Sequence, residues 1–461
     1  MNLNVGIVSA TSLHFVLKGT YRLNGITYPE GLHTASYQNG LIVVDGISLT
    51  SPVLFEPRRK AGCSFELQDV VIGVGFHWER TETQRFEGLL KLVADCDRKG
   101  TLTAINILSL ERYLVSVISS EMRATSNLEL LKAHAVVSRS WLMAQLELKK
   151  RHFKRKPTRE INRKGLHVKW YDRDDHRYYD VCADDHCQRY QGITRATTEA
   201  VEKAVKATEG QVIVAEKTDE ICDARFSKCC GGITELFENC WGGDTDHDYL
   251  LSLDDDALGM QHEEPNLKRV RTRPKDWGRK GLWALRGERA MEAFILEGRE
   301  SDFCNTKDES VLREVLNGYD QETTDFYRWK VRYTQSELAD LLRRRSGIDF
   351  GEIKSLTPIE RGPSGRIVKL HIEGSRESLT VGKELEIRKW LSESHLYSSA
   401  FVVETEGDGD VPTAFVLHGA GWGHGVGMCQ IGAAVMAVKG YGYKDIIAHY
   451  FKNTKLEKRE L

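Results

Sequence analysis

The chain has 461 residues, of which 41% are hydrophobic and 29% are charged, and its formal net charge is −2. This is the composition of an ordinary globular protein of about two or three domains, and such a balanced charge creates no global field that would attract nucleic acid. No apolar run reaches the roughly 18 residues that a membrane span needs, and the first residues lack the basic start and apolar block of a signal peptide.

The N-terminal part is predicted to be rich in β-structure. Apolar segments at 41–44, 69–74 and 89–93 are separated by turn residues, as expected for short strands. From Leu102 the character changes, and residues 105–118 have a helical rhythm.

A long helix is predicted for residues 128–150, after a polar break in which Thr125 or Ser126 can serve as N-cap. Arg139 lies on or beside the apolar stripe of this helix. An arginine in that position either extends its charged end to water or is buried against a carboxylate, for which Glu121 is one candidate. The pattern leaves both alternatives open.

Residues 149–174 form a basic stretch with aromatic residues near its end. A solvated loop or hairpin is the ordinary interpretation, and a surface for an anionic polymer or membrane headgroups is the alternative.

A candidate metal site follows this stretch. His176, Cys182 and Cys187 are close in sequence, and His186 is a spare ligand. Zinc takes thiolate and imidazole ligands in a tetrahedral arrangement, which suits this set. The alternative is a pair of reduced cysteines in a loop.

The chain has ten cysteines, and six of them fall between residues 182 and 240. Cys229 and Cys230 are adjacent, so we expect them to be free, metal-bound or paired with Cys222 or Cys240. The remaining cysteines are expected to be mostly buried as small apolar side chains: Cys63, Cys96, Cys304 and Cys429.

A glycine-rich run at 419–433 surrounds His424 and contains Gln430. Regular structure disfavours so many glycines. The run therefore predicts either a tight turn between a strand at 413–418 and a helix at 428–438, or a place where the backbone passes close to another molecule.

Several motifs in this order resemble the stage II sporulation protein D family, which includes the amidase-enhancer LytB branch. The motifs are Ser120-Glu121-Met122, Leu131-Lys-Ala-His-Ala-Val-Val-Ser-Arg139, the segment from His176 to Tyr190, Gly231-Gly-Ile-Thr234-Glu235, Ser364-Gly-Arg366, and Gly423-His-Gly-Val-Gly-Met-Cys-Gln-Ile-Gly-Ala433 with His449-Tyr450. The resemblance covers roughly residues 102–456, without the charged insert.

The expected architecture is α+β in four parts. It comprises a β-rich N-terminal region (1–101), a mixed α/β catalytic core with the long helix after Glu121 (102–261 and 404–461), a charged insert (262–328) with Trp277, Trp283 and Phe303-Cys304 as anchors, and a small α+β subdomain (329–403) with a helix at 335–344.

The resemblance implies lytic transglycosylase activity on peptidoglycan, in which the bond from N-acetylmuramic acid to N-acetylglucosamine is cleaved and a 1,6-anhydro sugar forms. It assigns the catalytic positions to Glu121 and Arg139. It implies one zinc ion, bound by His176, Cys182 and Cys187. Family members commonly have serine where this chain has Cys229, Cys230 and Cys429, which puts local polar contacts in doubt.

The substrate-binding candidates are His424, Gln430, Gly425 and Thr234. We expect the backbone of Gly419–Gly427 to lie beside Glu121, so that Gly425→Val harms activity more than stability. For His424, the alternative is a hydrogen bond to backbone that locks the turn.

One acid can suffice for this reaction. Ordinary glycosidases need two carboxylates, but if the sugar's own 6-hydroxyl attacks, one group can serve first as acid and then as base. Glu121 must then start protonated, which burial favours because it raises the pKa of a carboxyl group. We expect Arg139 to face substrate instead of lying against Glu121.

Two other classes of function stay open. The chain could be a non-catalytic cell-wall-binding module that stimulates an amidase, or a scaffold whose cysteines and metal serve structure alone. The substrate predicts a location in the cell envelope, and a cell-wall amidase is the expected partner, yet no export signal is visible in this sequence.

Overall fold

The computed structural model describes residues 1–59, 62–74, 79–151, 158–171, 176–196, 198–242, 247–256, 288–315 and 323–460. Strands and helices both form the fold, and the N-terminal region is made of strands, which confirms the predicted α+β class. Among the described residues, no helix has the length and apolar character needed to cross a membrane.

The strands are β1 (Asn2–Ala10), β2 (Ser12–Lys18), β3 (Tyr21–Leu23), β4 (Ile26–Tyr28), β5 (Gly31–Gln38), β6 (Leu41–Val44), β7 (Ile47–Leu49), β8 (Val53–Pro57), β9 (Ser64–Ile72), β10 (Arg80–Phe86), β11 (Leu89–Ala94), β12 (Leu102–Ser109), β13 (Thr158–Arg163), β14 (Leu166–Tyr171), β15 (Val181–Cys182), β16 (Gln211–Ala215), β17 (Phe226–Ser227), β18 (Arg328–Thr334), β19 (Ile353–Arg361), β20 (Ile367–Gly374), β21 (Ser378–Gly382), β22 (Phe401–Glu406), β23 (Ala414–Ala420), β24 (Met428–Cys429) and β25 (Thr454–Lys458).

The helices are α1 (Leu110–Glu121), α2 (Leu128–Arg151), α3 (Glu199–Ala207), α4 (Phe237–Cys240), α5 (Glu288–Glu297), α6 (Glu309–Val315), α7 (Gln335–Ser346), α8 (Glu384–Trp390), α9 (Gln430–Val438) and α10 (Tyr443–Tyr450).

Two sheets of the N-terminal region pack face to face. One has the order β15-β1-β12-β11-β8-β3-β4 and the other β10-β9-β2-β5-β6-β7. Their apolar faces meet in one core, where the rings of Phe15 on β2 and Phe55 on β8 lie 5.2 Å apart. Both rings are fully buried. This core continues into α1 and α2, so the sheets support the helix that carries Glu121.

The helical rhythm expected over residues 105–118 is wrong in its first half. Residues 102–109 form β12, which pairs with both β1 and β11, and α1 begins only at Leu110. Since β12 is buried on both faces over most of its length, its apolar residues show no alternation, and a short run of this kind is easily mistaken for helix.

The long helix α2 confirms the prediction for residues 128–150. Its first turn is capped by Asn127, whose Oδ1 accepts a hydrogen bond from the N–H of Glu129 (2.9 Å). The predicted cap at Thr125 or Ser126 is therefore wrong by one or two positions. Ser126 instead donates its hydroxyl to the carbonyl oxygens of Arg123 (2.7 Å) and Glu314 (2.5 Å).

Two further sheets are built mostly from the C-terminal half of the chain, and the larger one also includes β13 and β14 from the basic stretch. A five-stranded sheet has the order β13-β14-β21-β20-β19, and a three-stranded sheet has the order β18-β23-β22. The pair β13–β14 confirms a hairpin within the basic stretch. A second apolar cluster lies here, with Trp329 and Phe415 among its buried members.

Some expectations fall outside the described residues, namely those for Trp277 and Trp283. The division of the chain into four parts stays a prediction.

Candidate active site and metal cluster

Glu121 is the last residue of α1, and its side chain is buried, with 8% of the residue exposed. Its Oε1 accepts a hydrogen bond from the backbone N–H of Arg189 (3.0 Å). Burial raises the pKa of this carboxyl group, the charges of Arg189 and Lys228 oppose that rise, and Asp185 adds to it. The direction of this shift is the one that a general acid requires.

The segment after Cys187 fixes the position of Glu121. The N–H of Gln191 donates to Ser120 Oγ (3.2 Å), directly beside Glu121. The rings of Tyr190 and Tyr113 stack with their centroids 5.3 Å apart, which holds the segment against α1. The local fold therefore aims the Arg189 N–H at the acid.

The guanidinium of Arg189 has a separate partner. Its Nε donates to Asp185 Oδ1 (2.6 Å). This ion pair offsets part of the positive charge near Glu121, which is consistent with the raised pKa of that carboxyl group.

The predicted metal ligands come together in one cluster, which includes the spare ligand. Donor atoms of His176, Cys182, His186 and Cys187 all lie within 4.8 Å of one another. Cys187 Sγ is 3.4 Å from His176 Nε2 and 3.5 Å from His186 Nδ1, and Cys182 Sγ is 3.8 Å from His186 Nδ1. Ligands of a tetrahedral zinc with bonds of about 2.0–2.3 Å stand about 3.3–3.8 Å apart. These residues can hold a metal, and their geometry fits zinc.

The backbone around this first cluster is anchored to the N-terminal sheet. Strand β15 pairs in parallel with β1, with Cys182 opposite Gly6. A Cβ atom on Gly6 would lie 2.6 Å from the Tyr179 ring, so glycine permits this close approach. The metal cluster and Glu121 are thus joined through one continuous stretch of chain.

A cavity of about 150 Å³ lies beside this stretch, and its lining includes Arg189, Asp184 and Gln84. Gln84 is fully buried, and within the described part of the chain neither of its side-chain amide atoms has a hydrogen-bond partner. The N-terminal sheets thereby supply a polar group to a cavity that borders the segment holding Glu121.

Arg139 is not beside Glu121. It is fully buried against a carboxylate, which was one of the two alternatives left open by the sequence. The carboxylate is that of Glu111, to which Arg139 donates through Nε (3.0 Å) and Nη2 (2.7 Å). Glu111 and Glu121 lie at opposite ends of α1, roughly 15 Å apart at 1.5 Å per residue. Nη1 of Arg139 donates to the carbonyl oxygen of Gln211 (3.1 Å). These contacts give Arg139 a packing role, so the expectation that it faces substrate is corrected.

His424 locks the glycine-rich turn. Its Nδ1 accepts the N–H of Val426 (3.0 Å), and it also makes a backbone hydrogen bond to Phe226. Burial, followed by the charge of Arg225, lowers the pKa of the ring well below its usual value, so the ring is neutral. This is the turn-locking alternative of the sequence analysis.

Gly425 and Thr234 are also held by protein contacts. Gly425 has φ +76°, and a Cβ atom there would lie 2.4 Å from Arg366 Cζ. The neighbour that requires a glycine is therefore a buried guanidinium. Thr234 is almost fully buried, and its Oγ1 accepts the N–H of Leu253 (2.8 Å) and donates to the carbonyl oxygen of Leu251 (3.0 Å).

The C-terminal motifs meet in one buried polar network. The buried carboxylate of Glu235 accepts hydrogen bonds from the Oγ of Ser364 and from the Nδ2 of Asn239 (2.7 Å). Arg366 then donates to the carbonyl oxygens of Gly423 and Cys230, both at 3.1 Å. The network joins three motifs that are far apart in the sequence.

Gln430, the fourth predicted binding residue, is buried at the start of α9 and contacts α2. Its Nε2 lies 3.1 Å from His134 Nε2 on α2, and burial, followed by the charge of Lys228, lowers the pKa of His134 to about 3. Lys228 acts on Glu121 as well. The sequence analysis missed His134, Lys228 and Arg189, although Arg189 stands within the motif that follows Cys187.

Cys229 and Cys230 follow one of the expected alternatives, because both are free thiols. Cys229 and Cys230 do not pair with Cys222 or Cys240. Instead Cys230 Sγ lies 3.6 Å from Cys304 Sγ, and Cys429 Sγ accepts the N–H of Cys230 (3.2 Å). All ten cysteines lie within the described residues and are free thiols.

Comparisons with known proteins place part of the chain in context. Residues 98–214 match the profile of the family described as stage II sporulation protein, and residues 235–427 match a domain of unknown function, DUF8618. A relative from Brachyspira hyodysenteriae, described as an uncharacterized protein, is 22% identical over 446 residues, covering 95% of this chain and 88% of the relative. The first match confirms the resemblance drawn from the motifs over residues 98–214 and supports a cell-wall-related sporulation function.

Proposed function

We propose that the chain is a peptidoglycan lytic transglycosylase with Glu121 as its single general acid and base. The observation that carries this proposal is a carboxyl group buried at the end of α1, with a pKa raised by burial. Glu121 and the metal cluster both lie within the residues that match the sporulation family. Part of the predicted site thereby coincides with the part of the chain whose family is recognised.

The reaction needs two proton transfers at one carboxyl group. Protonated Glu121 donates to the glycosidic oxygen as the bond to C1 of N-acetylmuramic acid breaks. The resulting carboxylate accepts the proton of the 6-hydroxyl as that oxygen bonds to C1. No water is consumed, and the acid returns to its starting state.

The chain's other residues prepare this acid. The Arg189 N–H holds one carboxyl oxygen in place and stabilises the carboxylate formed after the first transfer. Asp185 binds the Arg189 guanidinium. Its negative charge offsets the positive charge of Arg189, which would otherwise lower the pKa of Glu121 further.

Zinc would be held by His176, Cys182, His186 and Cys187. Because all four ligands come from the protein, the ion would be structural, closing the loop that ends at Arg189. Loss of either thiolate should therefore disorder the loop that holds Glu121, and any loss of activity should follow from that disorder.

The test is digestion of purified peptidoglycan, with anhydro-muramic ends measured by mass spectrometry. Glu121→Gln keeps the shape of the side chain and removes its proton, so production of anhydro ends should fall by about two to four orders of magnitude. Glu199→Gln, on an exposed glutamate, is the matched control and should keep full activity.

Normal production of anhydro ends by folded Glu121→Gln protein would refute the assignment. Wild-type protein that cleaves nothing but accelerates a cell-wall amidase would favour the binding-module alternative.

A further inference from the structure

A second group of metal-ligating side chains lies in the interior, outside the site described above. It comprises Cys230, Asp255, Cys304 and Cys429, here called the three-thiol cluster, and all four residues are buried with at most 2% exposed. Their donor atoms lie within 4.8 Å of one another. The residues come from segments that are distant in sequence, so the fold itself assembles the cluster.

The distances suit one ion. Cys230 Sγ is 3.6 Å from Cys304 Sγ and 3.4 Å from Asp255 Oδ2. Ligands around a tetrahedral zinc with bonds of about 2.0–2.3 Å stand about 3.3–3.8 Å apart. A multi-iron cluster would spread its thiolates over several metal atoms, whereas these four donor atoms all lie within 4.8 Å of one another.

The carboxylate distinguishes this cluster from an apolar group of thiols. Buried cysteines alone often pack as small hydrophobic side chains, but a buried carboxylate needs compensation. The two oxygens of Asp255 have different surroundings. Oδ2 lies beside Cys230 Sγ and accepts the N–H of Cys304 (3.1 Å), whereas Oδ1 accepts the hydroxyl of Tyr450 (2.7 Å) and lies 3.5 Å from His449 Nε2. In metal sites, a ligating carboxylate is commonly oriented by a hydrogen bond to a residue outside the ligand set. Tyr450 provides such a bond to Asp255 Oδ1, while Oδ2 faces the thiol of Cys230.

The surroundings of Cys429 support the same interpretation. Its Sγ accepts backbone N–H groups from Cys230 (3.2 Å) and Gly432 (3.4 Å) at the start of α9. Hydrogen bonds of this kind tune metal-bound sulfur. Gly432 itself leaves room for the cluster, because a Cβ atom there would lie 2.7 Å from Asp255 Oδ2 and 2.3 Å from the Tyr450 hydroxyl oxygen.

We propose that the three-thiol cluster binds a second zinc ion, with thiolates of Cys230, Cys304 and Cys429 and the carboxylate of Asp255 as ligands. Three soft sulfur ligands and one oxygen in a closed tetrahedral set favour zinc among the divalent metals. The ion is structural. It joins the turn at Gly231, the start of α9 and the segment before α6, and it is independent of the proposed catalytic reaction.

Elemental analysis of the full-length protein, purified under reducing conditions, tests the stoichiometry. Wild-type protein should hold about two zinc ions per chain, and Cys304→Ser about one. Cys222→Ser is the matched control, because Cys222 is equally buried and lies outside both clusters, and it should keep both ions. Equal zinc content in Cys304→Ser and wild-type protein would overturn the proposal.

Cys182→Ser separates this proposal from the first cluster. If the three-thiol cluster binds zinc, this variant retains about one ion, whether or not the catalytic proposal holds. A Cys182→Ser protein without zinc would contradict the second site.

X-ray absorption at the zinc edge needs no variant and so covers the case in which Cys304→Ser does not fold. Two occupied sites predict an average of about 2.5 sulfur ligands per zinc, against about two for the first cluster alone. A value of two, or a disulfide between Cys230 and Cys304 found by peptide mapping of the wild-type protein, would overturn the proposal.

Discussion

At the scale of single residues, the proposed chemistry rests on how Glu121 is surrounded. Burial raises its pKa, and Arg189 and Lys228 restrain the rise. Burial is the largest cause, and a raised pKa is the direction that a general acid needs. A raised pKa also makes the free energy of unfolding depend on pH, which can be measured without any substrate.

Glu121→Gln should stabilise the protein relative to wild type as the pH rises. The unfolded chain loses the Glu121 proton near pH 4.5, the ordinary value, whereas the folded chain keeps it to higher pH. Between these two pKa values the unfolded state binds fewer protons, so the free energy of unfolding of the wild type falls as pH increases. Glutamine removes this penalty, which is about 1.4 kcal/mol for each tenfold change in proton affinity.

Urea denaturation of both proteins at about pH 4 and about pH 8 measures the effect. A difference in stability between Glu121→Gln and wild type that is the same at both pH values would show that the carboxyl group titrates normally.

Gly425→Ala should mainly reduce stability, contrary to the expectation drawn from the sequence. Gly425 and Gly347 share φ +76°, but a Cβ atom at Gly347 would meet nothing within 4 Å, whereas at Gly425 it meets Arg366. Both substitutions carry the left-handed penalty of roughly 1–2 kcal/mol, and Gly425→Ala adds about 1–3 kcal/mol of overpacking.

Thermal or urea unfolding of the two alanine variants makes the comparison directly. Equal losses would mean that Arg366 moves aside. Activity per folded molecule should stay close to that of wild type in both variants.

At the scale of elements, α1 separates two kinds of carboxylate. Glu111 in its first turn neutralises Arg139, and Glu121 at its end is the proposed acid. Helix α1 therefore contacts α2 through Glu111 and Arg139 at its start and carries the proposed acid at its end. Arg139 belongs to the packing of the two helices.

Glu111→Ala should destabilise the protein by about 3–5 kcal/mol, because it leaves the buried guanidinium of Arg139 without its carboxylate. The double variant Glu111→Leu with Arg139→Met should recover much of this loss, since it removes both charges. Unfolding experiments check the stability, and turnover per folded molecule checks the role. A folded double variant that has lost turnover would restore Arg139 to the catalytic residues.

The elements differ in how well the sequence predicts them. Helix α2 is clear because its apolar residues recur at helical spacing, whereas β12 is buried on both faces and shows no period. The first group of candidate metal ligands could be predicted because its members lie close together in the sequence. The three-thiol cluster could not, because Cys230, Cys304 and Cys429 are brought together only by tertiary contacts.

The glycine-rich motif shows why a motif can be located from sequence and still be misinterpreted. Its glycines do permit close approach, as expected, but what approaches Gly425 is the Arg366 side chain. A sequence cannot distinguish a neighbouring side chain from a ligand, because both require the same absence of a Cβ atom.

At the scale of the whole molecule, the two sheets of the N-terminal region support α1 and border the cavity beside Arg189. The loop between Cys182 and Gln191 then connects the first group of candidate metal ligands to Glu121. From the C-terminal half, α9 contributes Gln430, which contacts His134 on α2, and Ile431, whose N–H donates to the carbonyl oxygen of Lys228. The N-terminal sheets, helices α1 and α2, and α9 are thereby packed into one unit that contains Glu121.

The most direct test of the central claim is to digest purified peptidoglycan in water labelled with heavy oxygen and to weigh the released sugars. Intramolecular attack by the 6-hydroxyl predicts muramic ends that are one water lighter than hydrolysis products and that carry no label, with Glu121→Gln producing almost none. Labelled reducing ends would show that water is the nucleophile and would contradict a single-acid transglycosylase.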